Sequence, residues 1–281
     1  MKPIRVMSFN VFSPGEPEPG EELPPEEARN SWEARAPLQL RTIARYQPDL
    51  IGFQEMEPVK LATYRAELIA YDAMEPAHPD ELPSIFWRRD RWELIESGQF
   101  WLSDTPDVRR ADWDVPYPLT VDWVRLRSRE SDGEILHLNT QFEDGPWGER
   151  SRRASSRLLV QRAAALQLAG PAPLILTGDF NCNPWSEPYR QLIEAGFVDT
   201  YRAAGHADSV ESSTFHGLHG QGYFALEWGD ELFWRVDWIL TRDSAVRLQT
   251  TACTIVRDAE PPVYPSDHYP VITEVRTMSY V

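Results

Sequence analysis

A layered α/β fold, with a mixed sheet or paired sheets covered by helices, follows from three features of the sequence. Helix-period and strand-period segments mix irregularly from one end to the other. The middle of the chain carries several strands at hairpin spacing. Short apolar runs, of the kind that form buried strands, recur along the chain and stop at polar side chains. The order lacks the regular βα repeat of a barrel or a doubly wound sheet. No short-period repeat and no interdomain linker divides the 281 residues, so a single domain over 1–281 is expected.

Residues 4–12 read as a first strand, passing through Ser8-Phe9-Asn10. Segment 13–25, rich in Pro, Glu and Gly and poor in apolar residues, reads as an exposed loop. A helical period over 31–46 turns Trp32, Leu38, Ile43 and Ala44 inward, and Pro48 ends it. Residues 49–55 form a buried strand finishing on the carboxylate of Glu55, and 59–69 read as a helix. β-rich composition marks 84–88, 92–102, 120–128 and 134–142, with Asp132-Gly133 as a hairpin turn between the last two. Residues 103–118, with several Pro and Asp, make a long loop. The clearest helix covers 149–169. Its start is polar and basic, Leu158, Leu159, Ala163 and Leu166 gather toward one side, and Gly170-Pro171 ends it.

The next run, Leu174 to Thr177, is broken by Gly178, and Asp179 and Asn181 follow with one residue between them. In extended geometry residues i and i+2 share a side, so a carboxylate and a carboxamide would project together from a strand end. A plain turn is the competing reading, since Asp, Asn and Gly all favour one. A helix over 186–194, a short segment from 196 and a loop with Gly, Ser and His over 203–222 come next. Strands over 235–241, 245–256 and 269–276 close the chain.

Hydrophobic residues make up 42%, ordinary for a soluble globular protein, and no apolar run approaches the ~20 residues of a membrane span. The amino-terminal residues enter a strand pattern directly, without a leader-type pattern, so cytoplasmic residence is expected. Cys182 and Cys253 form no metal-type cluster and are expected as buried or half-buried thiols. The net charge of −16 disfavours a broad phosphate-backbone footprint and hence extended nucleic acid as partner. It leaves room for a small phosphorylated substrate, because a bound cation dominates its local field. No protein partner is expected. Most of the 11 Trp are expected in the core, with some available to line a groove.

Five separate places end or flank an apolar run with a polar group: Asn10, Glu55, Asp179 with Asn181, Asp237, and Asp267-His268. One such residue is a turn, whereas five suggest strand ends converging on one polar site. A cluster of Glu55, Asp179, Asp237 and Asp267 would repel itself unless a cation and a protonated His compensate. Oxygen ligands suit Mg2+ or Mn2+ better than Zn2+.

These segments are also recognisable. Ser8-Phe9-Asn10, Gln54-Glu55, Gly178-Asp179-Phe180-Asn181, Arg235-Val236-Asp237-Trp238-Ile239 and Ser266-Asp267-His268-Tyr269-Pro270-Val271 resemble, in order, the motifs of the endonuclease/exonuclease/phosphatase superfamily. That is the metal-dependent group of pancreatic deoxyribonuclease, abasic-site endonucleases, sphingomyelinases and inositol polyphosphate 5-phosphatases. Each motif is short; their order along nearly the whole chain is what makes the resemblance specific. Phe100-Trp101-Leu102-Ser103 with Thr105-Pro106, and the segment from Asn30 to Arg35, look like a bacterial branch whose substrates are mostly undefined.

The resemblance implies a four-layer α/β sandwich, of α+β type: two mixed β-sheets face to face with helices outside. It implies that Glu55 binds a catalytic Mg2+ (or Mn2+), with Asn10 and Asp267 close to the ion. Asp179 would orient or deprotonate the attacking water, and Asn181 would hold the nucleophile or a phosphate oxygen. His268 would stabilise charge on the phosphoryl group, held by Asp237, which raises its pKa. The reaction implied is hydrolysis of a phosphodiester or phosphomonoester by direct attack of water, and the acidic charge favours a small or lipid-derived phosphate.

One position departs from the pattern. Asn139-Thr140-Gln141 matches a family segment that usually reads Asn-Thr-His, and Gln cannot supply a proton near neutral pH. Three readings follow. Gln141 still binds phosphate while a metal-bound water protonates the leaving group; or Glu143, Asp144 or His216 takes over; or the chain hydrolyses slowly or only binds. A non-catalytic phosphate-binding relative and a DNA or RNA nuclease are therefore the alternatives. Further substrate-contact candidates are His216 between Gly-bearing turns, Trp185 as a pocket wall, and Arg35 on the first helix. His137, deeper in the Gln141 strand, is expected in the core.

Overall fold

The computed structural model describes residues 2–13, 30–74, 78, 83–131, 133–145, 148–225 and 235–279. Most of the loop expected over 13–25, from residue 14 onward, and Asp132 of the expected hairpin lie outside them.

Among the described residues twelve strands are formed: β1 (Ile4–Asn10), β2 (Leu50–Gln54), β3 (Tyr71–Ala73), β4 (Ser84–Arg88), β5 (Trp92–Trp101), β6 (Thr120–Ser128), β7 (Glu134–Gln141), β8 (Leu174–Asp179), β9 (Val198–Asp199), β10 (Asp237–Arg242), β11 (Val246–Ile255) and β12 (Val271–Ser279). They make two six-stranded sheets, ordered β11-β12-β1-β2-β4-β3 and β5-β6-β7-β8-β10-β9. Each sheet has one parallel pair, β1–β2 and β7–β8 respectively, and is otherwise antiparallel. A parallel pair needs a crossover. Helix α1 (Trp32–Tyr46) joins β1 to β2, and α3 (Glu149–Ala169) joins β7 to β8. With α2 (Pro58–Glu67) and α4 (Glu187–Glu194), these helices form the outer layers.

Three cores separate the four layers. Phe9, Ile51 and Phe53 of the first sheet pack outward on Ile43, Leu61 and Tyr64 of α1 and α2. Leu136, Leu176 and Trp238 of the second pack outward on Leu159, Ala163 and Leu192 of α3 and α4. Between the sheets lie Val6, Leu50, Ile135, Ile175, Ile239 and Val275. Each fully buried side chain of this size contributes about 1.5–3 kcal/mol, which is what makes strand alternation specify a face. The sandwich implied by the resemblance is the fold observed.

Along the central strands the inter-sheet face changes character toward one end. β1 presents Ile4, Val6, Ser8 and Asn10 in alternation; β7 presents Ile135, His137, Asn139 and Gln141; β8 presents Ile175, Thr177 and Asp179. Apolar side chains give way to a buried polar layer, and that layer gives way to the candidate site. In the polar layer Gln54 Nε2 donates to Asn139 Oδ1 at 2.7 Å, and Asn139 Nδ2 donates to the Phe53 carbonyl at 2.6 Å. His137 Nε2 lies 2.9 Å from Thr177 Oγ1, and burial pushes its pKa down to about 3, so it is a neutral core residue. A Cβ at Gly52 would collide with Thr177 Oγ1 and Asn139 Oδ1, so glycine there sets how closely the sheets approach.

Several sequence expectations need correction. β1 stops at Asn10 because Phe12 is left-handed, with φ 58°. In α1, Ala44 faces solvent, while Arg35, Gln39 and Thr42 are buried. The strands β3 and β9 and a short helix at Thr200–Ala203 lie in segments too short for a periodic signal. As expected, Cys182 and Cys253 are buried free thiols. No helix among the described residues is long and apolar enough to cross a membrane.

Candidate active site

Strand register builds the first row of the site. Gln141 pairs with Asp179 across the parallel β7–β8 ladder, and Asp179 pairs with Asp237 across the antiparallel β8–β10 ladder. Gln141, Asp179 and Asp237 thus stand side by side at one edge of the second sheet. In the facing sheet Asn10 pairs with Gln54, and Glu55 follows in left-handed backbone at φ 59°. Asn10 Nδ2 bridges the two sheets, donating to Glu55 Oε1 at 2.8 Å and to Asp179 Oδ2 at 2.9 Å. The segment before β12 completes the group: Ser266 Oγ donates to the Asn10 carbonyl at 2.7 Å, next to Asp267 and His268.

His268 lies among three carboxylates. Its Nδ1 is 2.9 Å from Asp237 Oδ2, and its Nε2 is 3.9 Å from Asp179 Oδ2 and 4.0 Å from Asp267 Oδ1. Burial disfavours the charged imidazole, but the three carboxylates outweigh it and raise its pKa well above the ordinary value. The carboxylates thus favour the protonated imidazole, whose Nδ1–H would donate to Asp237. Burial also raises Asp179, reinforced by Asp237 and opposed by His268.

Asp179 and Asn181 come together by a different route from shared strand alternation. Asn181 is left-handed, with φ 48°, and its backbone N–H donates to Asp179 Oδ1 at 3.1 Å. Its Nδ2 donates to the Phe142 carbonyl at 2.9 Å and approaches Asp179 Oδ2 at 3.4 Å. The turn is pinned from behind by Phe180, whose ring stacks on Trp238 at 4.4 Å. The turn and the functional pair are the same feature.

A cation site is consistent with this donor set. Asp179, Asp237 and Asp267 surround His268, Glu55 adds a fourth carboxylate beside Asp267 and across Asn10 from Asp179, and Asp237 Oδ1 is buried without a hydrogen-bond partner. Asp179, Asp237 and His268 offer ligand atoms within 4.8 Å of one another. Because His268 Nδ1 is already on Asp237 at 2.9 Å and its Nε2 stays 3.9 Å from Asp179, that trio reads better as an aligned row than as a metal shell. Glu55, Asn10 and Asp267 supply the oxygens; Asn10 Oδ1 accepts from Phe12 N at 2.9 Å and has a second lone pair.

Two buried cations hold this oxygen set from below. Arg35, 0% exposed, donates to the carbonyls of Asn30, Val11, Pro265 and Phe12 at 2.7, 2.8, 3.2 and 3.1 Å. Lys60, 1% exposed, reaches the Phe12 carbonyl at 2.6 Å, Ser13 Oγ at 2.9 Å, the Glu55 carbonyl at 3.1 Å and Glu57 Oε2 at 2.9 Å. Gln39 Nε2 adds a bond to the Val11 carbonyl at 3.2 Å. The turns carrying Asn10, Glu55 and Asp267 are thereby tied together.

A model of the Endonuclease/Exonuclease/phosphatase family matches residues 7–268, which contain every motif residue just described. The chain belongs to that family. It is 28% identical over 207 residues to Nocturnin of Drosophila melanogaster, a match covering 68% of this chain and 30% of that protein. Matches to vertebrate Nocturnins likewise cover only about half of those proteins or less. In structure it is similar to a mannosyl-6-phosphatase of Bacteroides thetaiotaomicron, with TM-score 0.82 and 25% identity over 97% of this chain and 99% of that one. It is also similar to the human Nocturnin catalytic domain, with TM-score 0.70 and 20% identity over 98% and 94% of the two chains. Endonuclease/exonuclease/phosphatase family members are phosphoester hydrolases, generally dependent on a divalent metal.

Set in that family, three substrate-contact expectations change. Arg35 does not offer its guanidinium to a phosphate, since four of its five N–H groups are held by backbone carbonyls. His216 is 1% exposed, accepts from Gly220 N at Nδ1, packs on Tyr269 at 4.0 Å and is pushed by burial to about 3. It supports the site through the backbone: the N–H groups of His216 and Gly217 donate to the Asp267 carbonyl at 2.8 and 3.1 Å. Trp185 is 50% exposed ahead of α4 and does not line the cleft next to Glu55. That cleft, about 370 Å3, takes its walls from Tyr117, Pro118 and Leu119 instead. Gln141 lines it and donates from Nε2 to Glu55 Oε1 at 3.0 Å.

The sequence reading missed Lys60 and Tyr117. Lys60 carries no motif signal; a Lys two residues inside a helix start looks like a solvated charge. Tyr117 sat in a loop whose only legible property was its Pro and Asp content.

Proposed function

We propose that the chain is a phosphoesterase dependent on Mg2+ or Mn2+, acting on a phosphodiester or phosphomonoester of small-molecule or lipid-derived type. The observation that carries this is the line Asp237–His268–Asp179 meeting the oxygen group of Glu55, Asn10 and Asp267 through the Asn10 amide. Glu55, Asn10 and Asp267 would hold the ion, which when bound supplies positive charge beside the phosphoryl oxygens. His268 holds a proton at Nε2 toward the place where negative charge develops, and Asp237 keeps the ring oriented. Asp179 orients the attacking water and takes its proton, and Asn181, its amide fixed on Phe142, helps hold that water. Gln141 donates to a phosphate oxygen in place of a histidine, so protonation of the leaving group falls to solvent water.

The test is release of product from p-nitrophenyl phosphate, bis-p-nitrophenyl phosphate and phosphorylated metabolites with Mg2+ or Mn2+, and with EDTA. Turnover that EDTA abolishes is expected. Rates no higher than those of the Asp179→Ala/His268→Ala variant would reject the reading. Phosphate binding without turnover would select a non-catalytic relative, which the engagement of Gln141 with Glu55 favours as the second reading. Nicking of supercoiled DNA, lost in the same double variant, would select a nuclease despite the charge of −16.

A further inference from the structure

We infer that the cleft beside Glu55 receives the alcohol part of the substrate and selects a neutral or amine-bearing polyol over one carrying a second anionic group, with Asp144 and Tyr117 as the selecting residues. This rests on the phosphoesterase reading and deepens it.

The cleft opens directly from the candidate site, because Glu55 and Gln141 belong to its lining. Its volume of about 370 Å3 lies at the small end for ligand sites, enough for one ring-sized group rather than a polymer. Pro118 and Leu119 give it apolar walls that suit the carbon face of a ring. Tyr117 stands beside them with its hydroxyl donating to Glu143 Oε2 at 2.8 Å. Glu143 is itself fixed, since Oε1 accepts from Gly145 N at 3.2 Å. The hydroxyl proton of Tyr117 is thus engaged, and what it offers a ligand is an aromatic ring and an oxygen acceptor. Asp144 is exposed, lines the same cleft and lies 3.4 Å from the Tyr117 hydroxyl.

The charge consequence follows from position. A phosphoryl group at the inner end meets His268 and the ion site. A second phosphate or carboxylate carried on the alcohol would lie within a Debye length, about 8 Å, of Asp144 and Glu143. Like charges there raise the cost of binding. Hydroxyls and ammonium groups instead find carboxylate and phenolic acceptors. The alcohol's own anionic substituents, rather than the reacting phosphate, are what the cleft reads.

The experiment compares glucosamine 6-phosphate, glucose 6-phosphate and glucose 1,6-bisphosphate. Each is measured as a substrate by kcat/KM, or as a competitor of nitrophenyl ester turnover by its inhibition constant. The wild type is expected to favour the amine and neutral sugars over the bisphosphate by roughly tenfold or more. Asp144→Asn should shrink the amine preference. Asp144→Lys should shift the ratio of bisphosphate to monophosphate by about tenfold toward the bisphosphate, less at high salt. Near-UV circular dichroism checks that the exposed substitution leaves the fold intact. A wild type that prefers the bisphosphate, or a ratio moving less than about twofold in Asp144→Lys, overturns the inference while nitrophenyl turnover keeps the phosphoesterase reading. No turnover of any ester overturns both.

Discussion

The two flanks of the site are built on opposite principles. On one flank Asp237, His268 and Asp179 are buried to within a few per cent, with His268 hydrogen-bonded to Asp237 and 3.9 Å from Asp179, and are backed by the stacked rings of Phe180 and Trp238. On the other, Glu55 and Gln141 are half-buried, face a cleft and meet residues from irregular loops. On the closed flank strand register places Asp179 and Asp237, which leaves little freedom in placing charge, and His268 comes from the segment before β12. The open flank, apart from Gln141 on β7, draws on turns, which need support from elsewhere, and gets it from Arg35 and Lys60. Chemistry common to many phosphoesters fits the first flank, and discrimination among alcohols fits the second.

The strongest way to break this contrast is to remove Asp237. Asp237→Ala deletes the partner that orients His268 and leaves the imidazole in a buried space without its 2.9 Å acceptor. A loss in kcat of about 1,000-fold is expected, in the range found when a preorganised charge-stabilising group is removed. KM should move little if, as proposed, the closed flank faces the reacting phosphate and not the alcohol. Steady-state kinetics on a nitrophenyl ester checks this. A loss under about tenfold would mean that His268 is held in place without Asp237, and the closed flank would not be the wired half.

How much of this was legible beforehand follows the same division. Asn10, Asp179, Asp237 and the Asp267-His268 pair could be read because each sits beside an apolar run, and for the first three strand alternation then assigns the face. The layering was legible for the same reason. What strand period cannot express is which backbone carbonyls in a turn will lack a donor. The carbonyls of Val11, Phe12 and Pro265 are satisfied by Arg35 and Gln39, helix residues at least 23 positions away in sequence from the nearest of them. Arg35 therefore looked like a surface cation available to phosphate. His216 misled similarly: flanking glycines suggested an open loop, whereas its ring is enclosed by Tyr264 and Tyr269.

Lys60 separates two explanations for the open flank. Its ammonium ties the Phe12 and Glu55 carbonyls, both in left-handed residues, to Ser13 and Glu57. Lys60→Met removes those charge-assisted bonds, while the Phe12 carbonyl keeps Arg35 and the Glu55 carbonyl keeps the Glu57 N–H, and the loss should cost about 1–3 kcal/mol of stability. Its effect on the cation has two opposing parts. Removing a positive charge near Glu55 favours a cation, while loosening the turn disfavours it. Positioning should win, weakening Mn2+ binding about tenfold in an electron paramagnetic resonance titration with no substrate present. Tighter Mn2+ binding would show that Lys60 acts through its charge, and the two flanks would then differ in charge rather than in how they are held.

Gln141 should give the smallest effect, because it stands between the flanks and belongs to both. Its backbone lies in register with Asp179, yet its Nε2 is turned to Glu55 Oε1 at 3.0 Å and its side chain lines the cleft. Gln141→Ala removes a neutral donor worth about 1 kcal/mol, so kcat/KM should fall about fivefold. Gln141→His places an ionisable group at the same spot. If the leaving group lacks a proton donor in this chain, kcat should rise for esters of poorly acidic alcohols such as sugars, and stay level for nitrophenolate, which leaves without protonation. Comparing the two leaving groups in the two variants separates phosphate binding from proton delivery. A fall with Gln141→Ala as deep as that with Asp237→Ala would place Gln141 on the closed flank, and the division between wired chemistry and adjustable recognition would have to be drawn one strand further over.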